Sequence, residues 1–89
     1  MKLTIKLTPP YKKKDSPAEF EVELNSEAIS VHDLVQYLAR EHHDRFDFPL
    51  IDKKGIITAE FMVNSKHEPL RFKVSDGDHI TVIPYIGGG

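Results

Sequence analysis

One stretch of this chain repeats with the period of a helix, and nearly everything around it alternates with the period of a strand. Val31, Leu34, Val35, Leu38 and Ala39 stand at i, i+3, i+4, i+7 and i+8, which lines them up as one apolar stripe. His32, Asp33, Gln36, Arg40 and Glu41 fall on the wet side of the same helix. Ser30 suits the N-cap, with Asp33 three residues later in the place of a capping-box acid. Ile29 and Leu34 stand where a hydrophobic staple would. The helix should fade near His42-His43, whose imidazoles suit the negative end of its dipole. A lone helix with one apolar face must be covered by something else, and the flanking segments supply the cover.

Those segments read as strands. From Lys2 to Thr8, Leu3, Ile5 and Leu7 share one face, and Lys2, Thr4 and Lys6 the other. Pro9-Pro10 ends this run, because proline cannot donate to a sheet ladder. From Ala18 to Asn25 the chain buries Phe20, Val22 and Leu24 and exposes Glu19, Glu21 and Glu23. Paired antiparallel, the two strands set exposed lysines against exposed glutamates. Between Asp44 and Gly55 the pattern is weakest, although Phe46, Phe48, Leu50 and Ile51 are too apolar for a plain loop. Asp52-Lys53-Lys54-Gly55 reads as a turn between a short strand and a longer one from Ile56 to Asn64. Asn64-Ser65-Lys66 turns into a short segment carrying Leu70 and Phe72, and Asp76-Gly77-Asp78 makes a further tight turn. The last strand, His79 to Pro84, buries Ile80 and Val82 and points Thr81 and Ile83 the other way.

The fold class that follows is α+β: a β-grasp, ubiquitin-like roll, with a mixed sheet of four to five strands and one main helix packed on one face. The first and last strands pair in parallel at its centre. At 89 residues the chain makes one domain, expected over 1–84, with 85–89 as a flexible glycine tail. Folding of a chain this size buries roughly 64% of the unfolded surface, enough for one core but not for a deep enclosed site.

Composition narrows the function. With no cysteine, disulfides, thiolate metal sites and a thiol nucleophile are excluded, and the expected location is cytoplasmic. A net charge of −2 gives no electrostatic case for nucleic acid or an anionic membrane. No apolar run approaches the roughly 18 residues that span a bilayer. Lys12-Lys13-Lys14, between Pro10 and Pro17, reads as a solvated turn. Glu41-His42-His43-Asp44 looks like a metal cluster, but neighbouring helical residues point apart, and no metal site is expected. Ser16, Ser26, Ser30, Ser65 and Ser75 read as caps, turns and loops rather than nucleophiles.

The informative end is Gly87-Gly88-Gly89. Three consecutive glycines at a given place arise by chance about 3 times in 10,000. They cost ordering entropy and pack nothing, so a structural reason is hard to find. A chemical one exists. The Gly89 carboxylate is ionised at neutral pH and a poor electrophile, but a partner can convert it to an acyl-adenylate. A sulfur or amine nucleophile can then attack, and glycines let the backbone thread a narrow channel to the reacting carbonyl.

Phe61-Met62-Val63-Asn64, Ser75-Asp76-Gly77-Asp78, Ile80-Thr81-Val82-Ile83-Pro84 and the terminal Gly88-Gly89 together resemble the MoaD/ThiS group of β-grasp sulfur carriers, over nearly the full length. The chain departs from that pattern at Tyr85, where MoaD members commonly carry a second proline, and at Ser65, where a glycine often follows the asparagine. The resemblance implies a carrier, not an enzyme. Gly89 would be adenylated by an E1-like (MoeB/ThiF-type) enzyme, which uses the ATP, and converted to a thiocarboxylate beside Gly88. The sulfur would go to molybdopterin, with the large subunit of molybdopterin synthase as partner, or to the thiazole of thiamin, with thiazole synthase as partner. The length and Pro84 favour the first. No cofactor is expected to stay bound. Met62, Ile83, Pro84, Tyr85, Ile86 and Gly87 are the expected partner-binding residues. Two other readings share the fold: a ubiquitin-like modifier joined through Gly89 to lysines, and a plain interaction domain.

Overall fold

The computed structural model describes residues 1–85. Strand β1 (Lys2–Leu7) runs antiparallel to β2 (Glu19–Glu23), with Leu3 opposite Val22 and Ile5 opposite Phe20. The alternation sorts the side chains: Leu3, Ile5 and Leu7 are buried, and Lys2 and Lys6 face Glu23 and Glu19 on the outer side. After β2 come a short strand, β3 (Ala28–Ser30), and the helix α1 (Val31–Glu41). Strands β4 (Ala59–Val63), β5 (Lys66–Glu68), β6 (Lys73–Ser75) and β7 (His79–Pro84) complete the chain. The main sheet has the order β2-β1-β7-β4-β5, with β1 and β7 parallel at its centre. Val31, Leu34, Val35 and Leu38 of the helix are buried in one core with Leu3, Ile5, Phe61, Ile80 and Val82 of the sheet. This is the β-grasp roll that the periodicities imply.

Two local expectations need correction. The main sheet has the five strands expected of it, and β3 and β6 add a second, two-stranded sheet. Ile29 pairs with Val74 across it and packs against the core that holds Leu34. Ser30 does cap the helix, its Oγ accepting from the Asp33 amide at 3.0 Å. Asp33 closes no capping box: its carboxylate lies 3.3 Å from Nδ1 of His32, and the Ser30 backbone belongs to the β3–β6 ladder opposite Lys73. Between Phe46 and Ile57 no regular strand forms before β4. Single bridges, Lys12 to Phe46 and Ile51 to Ile57, hold that stretch instead. Its turn is as expected: Asp52 Oδ1 accepts from the amides of Lys54 and Ile56, and Gly55 takes φ +80°.

The loop between β1 and β2 is more than a solvated turn. Tyr11 is 1% exposed, and its hydroxyl sits 3.1 Å from both the carbonyl oxygen and Oγ1 of Thr58. That contact ties the lysine-rich loop to the segment leading into β4.

Candidate functional site

The residues around the exit of β7 are positioned by a set of interlocking turns. Asn64 and Ser65 connect β4 to β5 with φ of 51° and 72°. Positive φ at both central residues defines a type I′ turn, whose twist matches that of the strands it joins. Asn64 then reaches sideways: Nδ2 donates to Asp78 Oδ1, and Oδ1 accepts from the amide of His79, each at 2.9 Å. Asp78 Oδ2 accepts from the Ser75 amide at 2.9 Å, and Asp76 Oδ1 from the Lys2 amide at 2.7 Å. Gly77, at φ +85°, donates its amide to the Lys2 carbonyl. The Ser75-Asp76-Gly77-Asp78 turn thereby pins the start of β7 to β1 and to the β4–β5 hairpin. β7 runs from this fixed point between β1 and β4 and ends with Pro84 opposite Ala59. Proline has no amide to extend the ladder. Tyr85 follows, 62% exposed.

On the outer sheet face, Met62 stands opposite Thr81 and Ile83 opposite Glu60. Met62 and Ile83 are therefore diagonal neighbours, a relation that places side chains roughly 7–8 Å apart. Both are half-buried, as is Pro84. The face is mixed, because His67 of β5 lies opposite Met62 and its Nε2 is 3.0 Å from Glu60 Oε1. Of the residues expected to bind a partner, Ile83, Pro84 and Tyr85 thus lie at the exit of β7, and Met62 lies further along β4, opposite Thr81. Ile86, Gly87, Gly88 and Gly89, and with them most of the expected 85–89 tail, lie outside the described residues.

Two depressions stand out among the described residues. One of about 230 Å³ lies by the helix end, between Ala39, His43, Phe46, Leu50 and Ile51. The other, of about 220 Å³, opens beside Tyr85 between Ile57, Ala59, Glu68 and Leu70. Small-molecule sites usually begin near 300 Å³, so these have the size of side-chain sockets. Sequence reasoning missed the second one. Its signal was the pair Pro69-Leu70 following an edge strand. The histidines that suggested a metal diverge: His42 Nε2 is 3.4 Å from the Tyr37 hydroxyl, and His43 Nδ1 is 3.4 Å from the Arg40 carbonyl. Among the described residues no three of His, Asp and Glu come together as metal ligands. Nor is any helix among them long and apolar enough to cross a membrane.

A roll of this topology is shared with other ubiquitin-like β-grasp proteins. SAMP1 of Haloferax volcanii matches over the whole of both chains, with a TM-score of 0.77 at 16% identity. The HVO 2177 protein of the same organism matches over all of this chain and 87% of its own, with a TM-score of 0.71 at 18% identity. A chain from the complex of subunits 1 and 2 of the molybdopterin-converting factor of Helicobacter pylori matches over the whole of both chains, with a TM-score of 0.59 at 19% identity. None of the curated proteins matches in sequence. The model of the ThiS family matches residues 10–89, nearly the entire length. The chain belongs to the ThiS family.

Proposed function

We propose that this protein is a sulfur carrier that works through the carboxylate of Gly89. The supporting observation is that the family match runs through Gly88 and Gly89 themselves. The carboxylate attacks the α-phosphorus of ATP on an E1-like adenylating enzyme, pyrophosphate leaves, and an acyl-adenylate forms. Hydrosulfide delivered in the partner's site then attacks the acyl carbon, the C–O bond to AMP breaks and AMP leaves with its electron pair, and loss of the sulfur's proton leaves a thiocarboxylate. The carrier contributes the carboxylate and a chain end narrow enough to enter the partner's channel, and every other catalytic group belongs to the partner. The chain is in this reading an accessory subunit of the cytoplasm, with a globular part over 1–84 and the working tail over 85–89.

For the sulfur acceptor we take molybdopterin, with this chain as the small subunit of its synthase and the large subunit as partner. The likeness in fold to a chain of the Helicobacter pylori converting-factor complex supports this choice. Thiazole synthesis for thiamin is the alternative within the same chemistry. A modifier role has its own support, the likeness in fold to the small archaeal modifier protein 1 of Haloferax volcanii. There an amine in place of sulfur would attack the same adenylate.

The test is ATP–pyrophosphate exchange with the adenylating enzyme, comparing the native chain with one extended by a single alanine after Gly89. The native chain supports exchange and the extended chain does not. Equal exchange by both would refute the assignment of Gly89.

A further inference from the structure

The groove beside Tyr85 supports an inference that rests on the reading of Gly89 above and goes past it. Its volume of about 220 Å³ leaves room for one or two side chains of another protein and too little for most metabolites. Two of the large apolar side chains exposed on the described surface, Leu70 at 37% and Tyr85 at 62%, meet in this one depression. A single exposed apolar residue is ordinary, but two lining a shared groove with Ile57 form a patch suited to a partner.

Charge defines the partner further. The lining includes Glu60 and Glu68 and neither lysine nor arginine. Glu60 is held by His67 at 3.0 Å, whereas Glu68 enters no ion pair among the described residues. An apolar floor with an uncompensated carboxylate at its rim fits a segment carrying an apolar side chain next to an arginine or lysine.

Position completes the argument. Only residues 86–88 separate Tyr85 from Gly89, so the four steps of extended chain reach at most about 14 Å. An enzyme whose active site holds the Gly89 carboxylate therefore brings its surface to the groove. We propose that the groove formed by Ile57, Glu68, Leu70 and Tyr85 is a docking point for the adenylating partner. The partner seats an apolar side chain between Leu70 and Tyr85 and sets a cation against Glu68. This contact lies at the β4–β5 edge of the sheet, apart from the outer-face patch of Met62 and Ile83.

The test uses the full chain carrying Glu68→Lys or Leu70→Ser, each checked for an unchanged amide fingerprint, against the purified adenylating enzyme that activates the native chain. Both substitutions raise Kd and the exchange KM at least tenfold and leave kcat within twofold. The loss from Glu68→Lys shrinks as salt is raised, since a rim charge acts through screened attraction. The one-alanine extension after Gly89 behaves the opposite way, with Kd within twofold and no exchange. Native-like binding by both groove variants overturns the docking proposal and leaves the assignment of Gly89 standing. Loss with Leu70→Ser alone overturns the cationic partner. Exchange that survives the extension refutes Gly89 while the binding data still decide the groove.

Discussion

Replacing Asn64 separates two contributions that the β4–β5 turn combines. Its side chain makes two hydrogen bonds at 2.9 Å, one to a carboxylate, and its backbone sits at φ 51°. Glycine at this position removes both bonds but adopts the backbone freely; alanine removes both and is strained. At an exposed site a neutral bond is worth about 1 kcal/mol and one to a charged group about 1.5 kcal/mol, so Asn64→Gly should cost about 2–3 kcal/mol. Left-handed backbone costs a residue with a Cβ about 1–2 kcal/mol, partly offset by the greater unfolded-state entropy of glycine, about 0.4–1 kcal/mol. Asn64→Ala should therefore lie about 0.5–1 kcal/mol below Asn64→Gly. In a domain this size 1 kcal/mol moves Tm by about 4–8 °C, so the glycine variant should melt about 8–24 °C below the native protein. Urea denaturation followed by circular dichroism measures all three proteins. A glycine variant as stable as the native one would show that the bridge to Asp78 and His79 contributes nothing. An alanine variant no worse than glycine would show the same of the backbone conformation.

Other substitutions test the frame. Ser30→Ala removes the cap on the Asp33 amide and should cost about 1 kcal/mol by urea denaturation. Leu38→Ala, at a side chain with 0% exposure beneath the sheet, should cost about 2–5 kcal/mol and lower Tm accordingly. Tyr11→Phe should cost only about 0.5–1 kcal/mol, because Thr58 Oγ1 keeps its bond to the Pro49 carbonyl at 2.8 Å; a larger loss would mean that the loop itself had detached.

What the sequence reveals of this fold follows the length over which each pattern persists. The helix and the strands β1, β2 and β7 repeat long enough for a period to be read, and β7 spans His79–Pro84 as its alternation implies. Strands β3 and β6 have three residues each, too few to alternate visibly, and their pairing is fixed by the fold around them. Tyr11 sits among prolines and lysines, and nothing local foretells that Thr58, 47 positions away, will bury it. The candidate site divides in the same way. The shared outward face of Met62 and Ile83 comes from alternation within single strands. The groove needs Leu70 and Tyr85 brought together by the order of β7, β4 and β5, which the sequence does not spell out.

The measurement that tests the central claim most directly is the intact mass of the protein isolated from its native cells, with the C-terminal peptide sequenced. The account predicts a species heavier by one oxygen-to-sulfur exchange, located at Gly89. Unmodified protein together with adducts joined to lysines, in cells whose sulfur-transfer enzymes are present, would contradict the carrier reading and establish the modifier in its place.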